Sequence, residues 1–321
     1  MSHRSLALLV ALLTCAPVAQ VHAETYPDKP VRLVISLAPG GGTDTVARRI
    51  AQRLGDVLGQ TVVPDNRPAV DGVIATEIVA RAKPDGYTLL FSSSSHAMNA
   101  ALGRKLPYDA IRDFAFVTQT SSQQMILVVH PSLPVHNVKE LIEYAKARPG
   151  KLNYGASSNA VALPMELFKS MAGINVNYIP YKGSAPVLID LLAGRIELSF
   201  SPALATIPHV KSNKLRALAI GDAKRSVTLP DIPTVAESGL PKYQATTWTG
   251  ILAPAKLPRT IVDRLNRDVV KIVQAQEFRD WLIQNGSDPV GSTPEAFQTF
   301  VRNEIAKWGA LAKTLDLKLQ D

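Results

Sequence analysis

The chain has 321 residues, 46% of them hydrophobic and 19% charged, with a formal net charge of +8 at pH 7 and one cysteine, Cys15. Its length suits one large or two medium domains. The basic residues are scattered without a run of like charge, which argues against a nucleic-acid surface; mild positive charge suits attraction of small anions, or serves no function.

Residues Met1–Ala23 read as a targeting segment. Arg4 supplies positive charge, Leu6 to Leu13 is a short apolar core, and Val21-His22-Ala23 offers small residues at the outer cleavage positions. The apolar run is too short for a permanent membrane helix. A secretory signal cleaved after Ala23 is expected. Lipidation at Cys15 is the alternative, although Thr14 is bulkier than the residue that normally precedes a lipidated cysteine. Cleavage leaves no cysteine for a disulfide, for thiol chemistry or for a metal. No later apolar segment reaches the length of a membrane span.

Val31, Leu33, Val34 and Ile35 form the first apolar run, a buried strand. Val46, Ile50, Leu54 and Leu58 then recur at helical spacing. Between them lies Ala38-Pro39-Gly40-Gly41-Gly42-Thr43-Asp44, the stretch around which the chain is organised. Glycine lets the backbone approach a bound group, and Thr43 or Asp44 is expected to cap the helix. The first amides of a helix lack intrahelical partners and sit at its positive end, so this turn could hold a carboxylate without a cationic side chain. A tight turn that binds nothing is the plain alternative. Two nucleotide readings fail. A P-loop needs Lys and Ser/Thr after its last glycine, where Thr43-Asp44 stand. A dinucleotide fingerprint needs glycine or alanine where Thr45 stands.

Strands and helices alternate from there. Thr61–Val63 is a short strand, and Ile74, Ile78 and Val79 lie on the helix after Gly72. Thr88–Phe91 is a third strand, followed by a loop Ser92-Ser93-Ser94-Ser95-His96. Met125–Val129 is a further strand. Asn137 and Glu140 form a capping pair for a helix ending near Arg148. Tyr154 leads into a second small, polar loop, Gly155-Ala156-Ser157-Ser158-Asn159-Ala160, ahead of a helix carrying Leu163, Leu167 and Met171. Strands follow at Asn177–Pro180, Ile196–Phe200, Leu215–Ile220 and Trp248–Ala253, with a helix over Pro186–Ala193 closed by Gly194. The remainder is helical, with Ile261, Leu265, Val269 and Ile272 on one face. Thr293-Pro294 opens a last helix that carries Phe297, Val301, Ile305, Trp308 and Leu315. Polar loops recur at carboxyl ends of strands, the edge at which open α/β sheets bind ligands.

The residues Tyr26-Pro27-Asp28-Lys29-Pro30, Ala38 to Asp44, Asp65-Asn66-Arg67-Pro68, Pro84-Asp85-Gly86-Tyr87 and Leu106-Pro107-Tyr108-Asp109 occur in the order found in one family. So do Pro180-Tyr181-Lys182-Gly183-Ser184, Asp190 to Gly194, Lys214 to Ala219, Leu229 to Thr234 and Ala236-Glu237-Ser238-Gly239. The chain resembles the Bug family, the periplasmic substrate-binding proteins of tripartite tricarboxylate transporters.

The resemblance implies a two-lobed α/β fold with mixed sheets flanked by helices and a ligand cleft between the lobes. One lobe is expected over 24–123 and 247–321 and the other over 124–246, with crossings near Gln123 and Thr246. It implies a periplasmic location, a small-molecule carboxylate ligand, no cofactor, and a monomer that serves membrane permease subunits. By the same analogy Gly41, Gly42, Thr43 and Asp44 contact the ligand from one lobe, and Ser157, Ser158, Asn159 and Ala160 from the other. Ser93, Ser94, Ser201 and Pro202 are further candidates.

The chain departs from the family after Asn66-Arg67-Pro68. Ala69-Val70-Asp71-Gly72 replaces a glycine-rich stretch, and an Asp71 near the cleft would disfavour a second carboxylate on the ligand.

An enzyme on this scaffold, or a sensor presenting its ligand to a membrane histidine kinase, are the other functions weighed. The serine run before His96 lacks the Gly-x-Ser-x-Gly elbow. His96, His130, His136 and His209 show no metal-ligand spacing and read as surface or turn residues. Trp281 and Trp308 read as core, while Trp248 faces either the core or the cleft. Lys182 and Arg67 are either surface charges or ligand contacts.

Overall fold

The structure, a computed structural model, describes residues 26–156, 158–181, 184–227 and 229–314. The signal segment, Ser157, Lys182 and Leu315 lie outside the described residues.

A first sheet takes its strands from both ends of the chain. After β1 (Val31–Ile35) come α1 (Gly42–Leu58), β2 (Val62–Asn66), a 3-10 turn at Val70–Gly72, α2 (Val73–Ala80), β3 (Thr88–Ser93), α3 (Ser95–Ala101) and β4 (Phe114–Gln123). β1 runs parallel to β2 and β3. Leu33 pairs with Leu89 and Ile35 with Phe91, all four against α1, while Val34 and Leu90 face a second apolar cluster on the opposite side. A strand buried on both faces must be apolar throughout, which is why this one reads as an unbroken run.

The second sheet is built from β5 (Met125–Val129), β6 (Asn153–Ala156), β7 (Asn177–Pro180), β8 (Leu198–Pro202) and β9 (Arg216–Ile220), in the order β7-β6-β8-β5-β9. Its helices are α4 (Val138–Ala147), α5 (Asn159–Ala172), α6 (Ser184–Leu192) and α7 (Ala203–Lys211). β5 is again buried on both faces, with Leu127 and Val129 in one cluster and Ile126 and Val128 in another. The Asn137 side chain accepts the Glu140 amide at 2.9 Å and Glu140 accepts the His136 amide, the reciprocal cap expected of that pair.

The chain then returns to the first sheet as β10 (Thr247–Pro254), antiparallel between β3 and β4. α8 (Arg259–Gln274), α9 (Gln276–Gln284), β11 (Ser287–Pro289) and α10 (Pro294–Thr314) complete it, in the strand order β11-β4-β10-β3-β1-β2. α8 buries Val262, Leu265, Val269, Ile272 and Val273 on one face, each worth about 1.5–3 kcal/mol of burial.

Gln124 alone separates β4 from β5. Its amide donates to Gly286 O at 3.1 Å beside the first sheet, and its carbonyl accepts from the Ala203 amide at 2.9 Å beside the second. The second crossing runs beside it, with the Gly221 amide on Met125 O and the Ala245 amide on Gly221 O, both at 2.7 Å.

Several expectations are corrected. β4, α7 and β11 are elements the sequence reading did not assign. Ser92–Ser95 is not a loop, because Ser92 and Ser93 end β3 and Ser95 opens α3. His96 is not a surface residue: it is buried, its Nε2 2.8 Å from Ala110 O, beside the rings of Tyr108 and Phe114. Burial pushes its pKa down to about 4, so the ring is neutral at pH 7. Trp248 faces the core, fully buried against Phe297 and Phe300. Trp308 is core as well, while Trp281 is half-buried under the Arg49 guanidinium.

Candidate functional site

Two helix starts and the short turn between Val70 and Gly72 define the candidate site. At the carboxyl end of β1 the chain turns through Gly40, whose φ of +80° is a glycine conformation. Gly41 is the N-cap of α1 at φ −79° and ψ 167°. Neither Thr43 nor Asp44 caps the helix, a correction to the sequence reading, because both already lie within its first turn. The first intrahelical bond runs from the Thr45 amide to Gly41 O at 2.9 Å. The amides of Gly42, Thr43 and Asp44 therefore have no acceptor within the helix.

The Asp44 side chain braces this turn. It accepts from the Gly40 amide at 2.8 Å, from Arg48 Nε at 2.9 Å and from Asn66 Nδ2 at 2.8 Å. Asn66 Nδ2 also donates to Leu37 O. Burial pushes the Asp44 carboxyl up, but the bonds from Gly40, Arg48 and Asn66 outweigh it and hold the group below the usual carboxylate range. Its carboxylate is thus committed to the loop.

Glycine at position 41 is not demanded by this fold. The backbone angles suit any residue, and a Cβ there would meet only Ala38 O, at 3.7 Å. Beside the turn, Ser36 ends the approach from β1 and Ser93 ends β3. The hydroxyls of Ser36, Ser93 and Ser95 are buried without a hydrogen-bond partner. Such orphaned groups cost free energy and call for a guest or a water. Ser94 is different, since its hydroxyl accepts from the Trp248 amide at 2.9 Å and holds α3 to β10.

On the second sheet, Ser158 caps α5 with extended backbone, and its carbonyl accepts from Val161 and Ala162. Asn159 and Ala160 form the first turn. Next to it, Ser201 Oγ donates to Ser199 Oγ, which donates to Gly155 O. Ser184, Ser199, Ser201, Pro202 and Val161 line a small pocket there.

The two sides meet through Asp71. It stands at φ 56°, and its Oδ2 accepts from the Asn159 amide at 3.4 Å. Gly72 packs so closely on Ser36 that a Cβ would come within 2.8 Å of the Ser36 Cβ. Asn99 Nδ2 donates to Asp71 O at 3.1 Å, while Asn99 Oδ1 is buried without a partner. Burial raises the Asp71 carboxyl above its usual range, against the smaller influences of the Asn159 amide and Arg104. Tyr178 is raised by burial and by this carboxylate.

The structure thus places Gly41, Gly42, Thr43 and Asp44 at one helix start, with Ser93 and Ser94 on the neighbouring strand end. Ser158, Asn159 and Ala160 stand at the other, next to Ser201 and Pro202. Sequence reasoning missed Ser36, Ser95 and Asn99. The rule that ligands bind at carboxyl ends of strands would have reached Ser36; nothing in the sequence marks Asn99. Arg67 is exposed and paired with Asp65 at 3.0 Å. Among the described residues no three His, Cys, Asp or Glu gather as metal ligands, and no helix is long and apolar enough to cross a membrane.

Two sheets joined by adjacent crossings, each with a polar helix start and bridged by the Asp71–Asn159 contact, are the architecture of a two-lobed solute-binding protein. The chain belongs to the TctC family, tripartite tricarboxylate transporter family receptors, which it matches over residues 46–317. It is 36% identical over 315 residues to protein BugT of Bordetella pertussis, covering 97% of either chain. A protein of R. palustris solved with adipate superposes with a TM-score of 0.84 at 39% identity, over 90% of this chain and 98% of that one. The periplasmic binding protein BugD gives 0.83 at 32% identity, over 92% and 100%. MatC of Rhodopseudomonas palustris, with bound malate, gives 0.81 at 28%, over 89% and 99%. Family and fold are those of periplasmic substrate-binding proteins.

Proposed function

We propose that this chain captures a small organic acid by closure of its lobes and delivers it to the permease of a tripartite tricarboxylate-type transporter, after export to the periplasm and cleavage at Ala23. One lobe comprises 24–123 and 247–321, the other 124–246, a division supported by the strand membership of the two sheets. The ligand carboxylate lies on the free amides of Gly42, Thr43 and Asp44, with Gly41 kept bare so that it can approach. Ser93 hydrogen-bonds it, and Ser158, Asn159, Ala160, Ser201 and Pro202 close over it. Asp44 and Ser94 serve by holding the loops in place.

The observation that carries this reading is the glycine at position 41, which the fold does not need, together with three buried hydroxyls without partners at Ser36, Ser93 and Ser95. Relatives solved with adipate and malate support an acid as the guest. A thermal-shift screen of mono- and dicarboxylates, followed by calorimetry on each hit, tests it. Saturable binding of at least one acid without its turnover is expected; turnover, or an absence of binding across the panel, contradicts it.

A further inference from the structure

Asp71 is an unusual group to find on the amino end of α5. That position offers unpaired amides at a positive helix end and so suits an anion. Here the anion is supplied by the protein itself, from the other sheet's side of the molecule: Asp71 Oδ2 lies 3.4 Å from the Asn159 amide. The backbone is set to present it. Asp71 stands in the left-handed region at φ 56°, and Gly72, at φ +85°, is pressed onto Ser36. Asn99 holds the Asp71 carbonyl with its Nδ2 and leaves its own buried Oδ1 unpartnered. Beside Asp71, then, the polar groups are acceptors: its own carboxylate and the amide oxygen of Asn99. The cation felt there is Arg104, a weaker influence on Asp71 than burial, and the Tyr178 phenol is raised by burial and, to a lesser degree, by the same carboxylate.

We propose that Asp71 determines ligand specificity by occupying, on α5, the place that a second ligand carboxylate would take. The protein therefore selects monocarboxylates whose far end is uncharged and donates a hydrogen bond. This deepens the function proposed above and rests on it. A dicarboxylate would have to bring its second charge against that of Asp71 and find the Asn159 amide already engaged. A hydroxyl at the same distance would instead donate to Asp71 or to Asn99 Oδ1. Discrimination comes from the repulsive element as much as from the attractive one.

Adipate and ω-hydroxyhexanoate, which differ only at one end, are titrated calorimetrically into the wild type, Asp71→Asn and Asp71→Gly. Asparagine and glycine both tolerate positive φ, so the turn is preserved. The wild type should prefer the hydroxy acid. Both variants should shift the affinity ratio toward adipate by about tenfold or more, the effect of removing one close like charge. An unchanged ratio in both variants overturns the proposal. The seat of Asp71 is also read without ligand, from the Asn159 amide proton by NMR. Its shift should follow a carboxylate titration in the wild type and lose it in Asp71→Asn. An Asn159 amide blind to pH through the carboxylate range overturns the proposal. If the wild type binds neither of these acids nor any other of the carboxylate panel, the organic-acid function is what falls, and the Asn159 titration still decides where Asp71 sits.

Discussion

Asp44 Oδ2 accepts a hydrogen bond from the Gly40 amide at 2.8 Å, so an acidic residue of the first helical turn holds the glycine turn that precedes its own helix. The same carboxylate binds Arg48 and Asn66. A charge that looks hostile to an anionic guest is thereby neutralised locally and used to fix the glycine turn.

Asp44→Ala should leave the Gly40 amide unpaired and Asn66 Nδ2 with Leu37 O alone, costing about 1–3 kcal/mol. Urea unfolding measures the loss. Acid affinity should fall further than the stability loss alone accounts for, because the amides of Gly42 and Thr43 lose their fixed positions. Asp44→Asn, which keeps one acceptor, should lie between the two.

His96 should set part of the acid limb of stability. Its folded pKa is about 4, below the unfolded value of about 6.5. The unfolded chain therefore binds more protons between these values, and stability falls as pH drops from about 6.5 toward 4. The contribution is up to about 3 kcal/mol. His96→Leu should flatten the pH dependence of Tm across that window; an unchanged slope would show that the ring is not buried neutral.

Asp71 has the opposite sign. Its carboxyl is raised by burial, so the folded chain holds the proton to higher pH than the unfolded one. Stability falls as pH rises from the ordinary aspartate value through the raised one. Asp71→Asn should therefore gain in Tm over the wild type at neutral pH, with the gap closing below the ordinary aspartate value. A denaturation series across the acid range checks this.

Gly250 lies on β10 between β3 and β4, and a Cβ there would come within 2.3 Å of the Phe297 ring and 3.0 Å of Thr118 O. Phe297 is itself wedged against Phe116 and Trp248 at 5.4 and 5.3 Å. Gly250→Ala should cost about 1–3 kcal/mol by overpacking, read by urea unfolding, without altering the mono- to dicarboxylate preference.

The strand–helix alternation was legible where burial demands apolar residues, as in β1 and β5. It failed at β4, whose Thr118, Thr120 and Ser121 look like loop residues. In the fold Thr120 and Ser121 hydrogen-bond Thr249 across the strands at 2.7 and 2.8 Å, and Thr118 donates to Ser292 O. Polar side chains that satisfy one another can fill a sheet centre, and no periodicity announces it. His96 reads as a surface or turn residue because it fits no metal-ligand spacing, yet Ala97 and Met98 carry its helix into the core and the ring goes with them. Both helix starts were visible as glycine- or serine-rich turns after apolar strands. The contact of Asp71 with Asn159 was not, because it joins residues 88 apart across the two sheets.

On the proposed function, backbone amides and hydroxyls, rather than a salt bridge, hold the ligand carboxylate. Calorimetric titration of one binding acid into the wild type, Gly41→Val and Arg67→Ala separates the two modes of binding. Position 41 has the space and the backbone angles for a side chain, so Gly41→Val should fold and yet obstruct the approach of the carboxylate. Loss of affinity by about tenfold or more in Gly41→Val, with Arg67→Ala near the wild type, is the predicted result. Abolished binding in Arg67→Ala beside intact binding in Gly41→Val would contradict it.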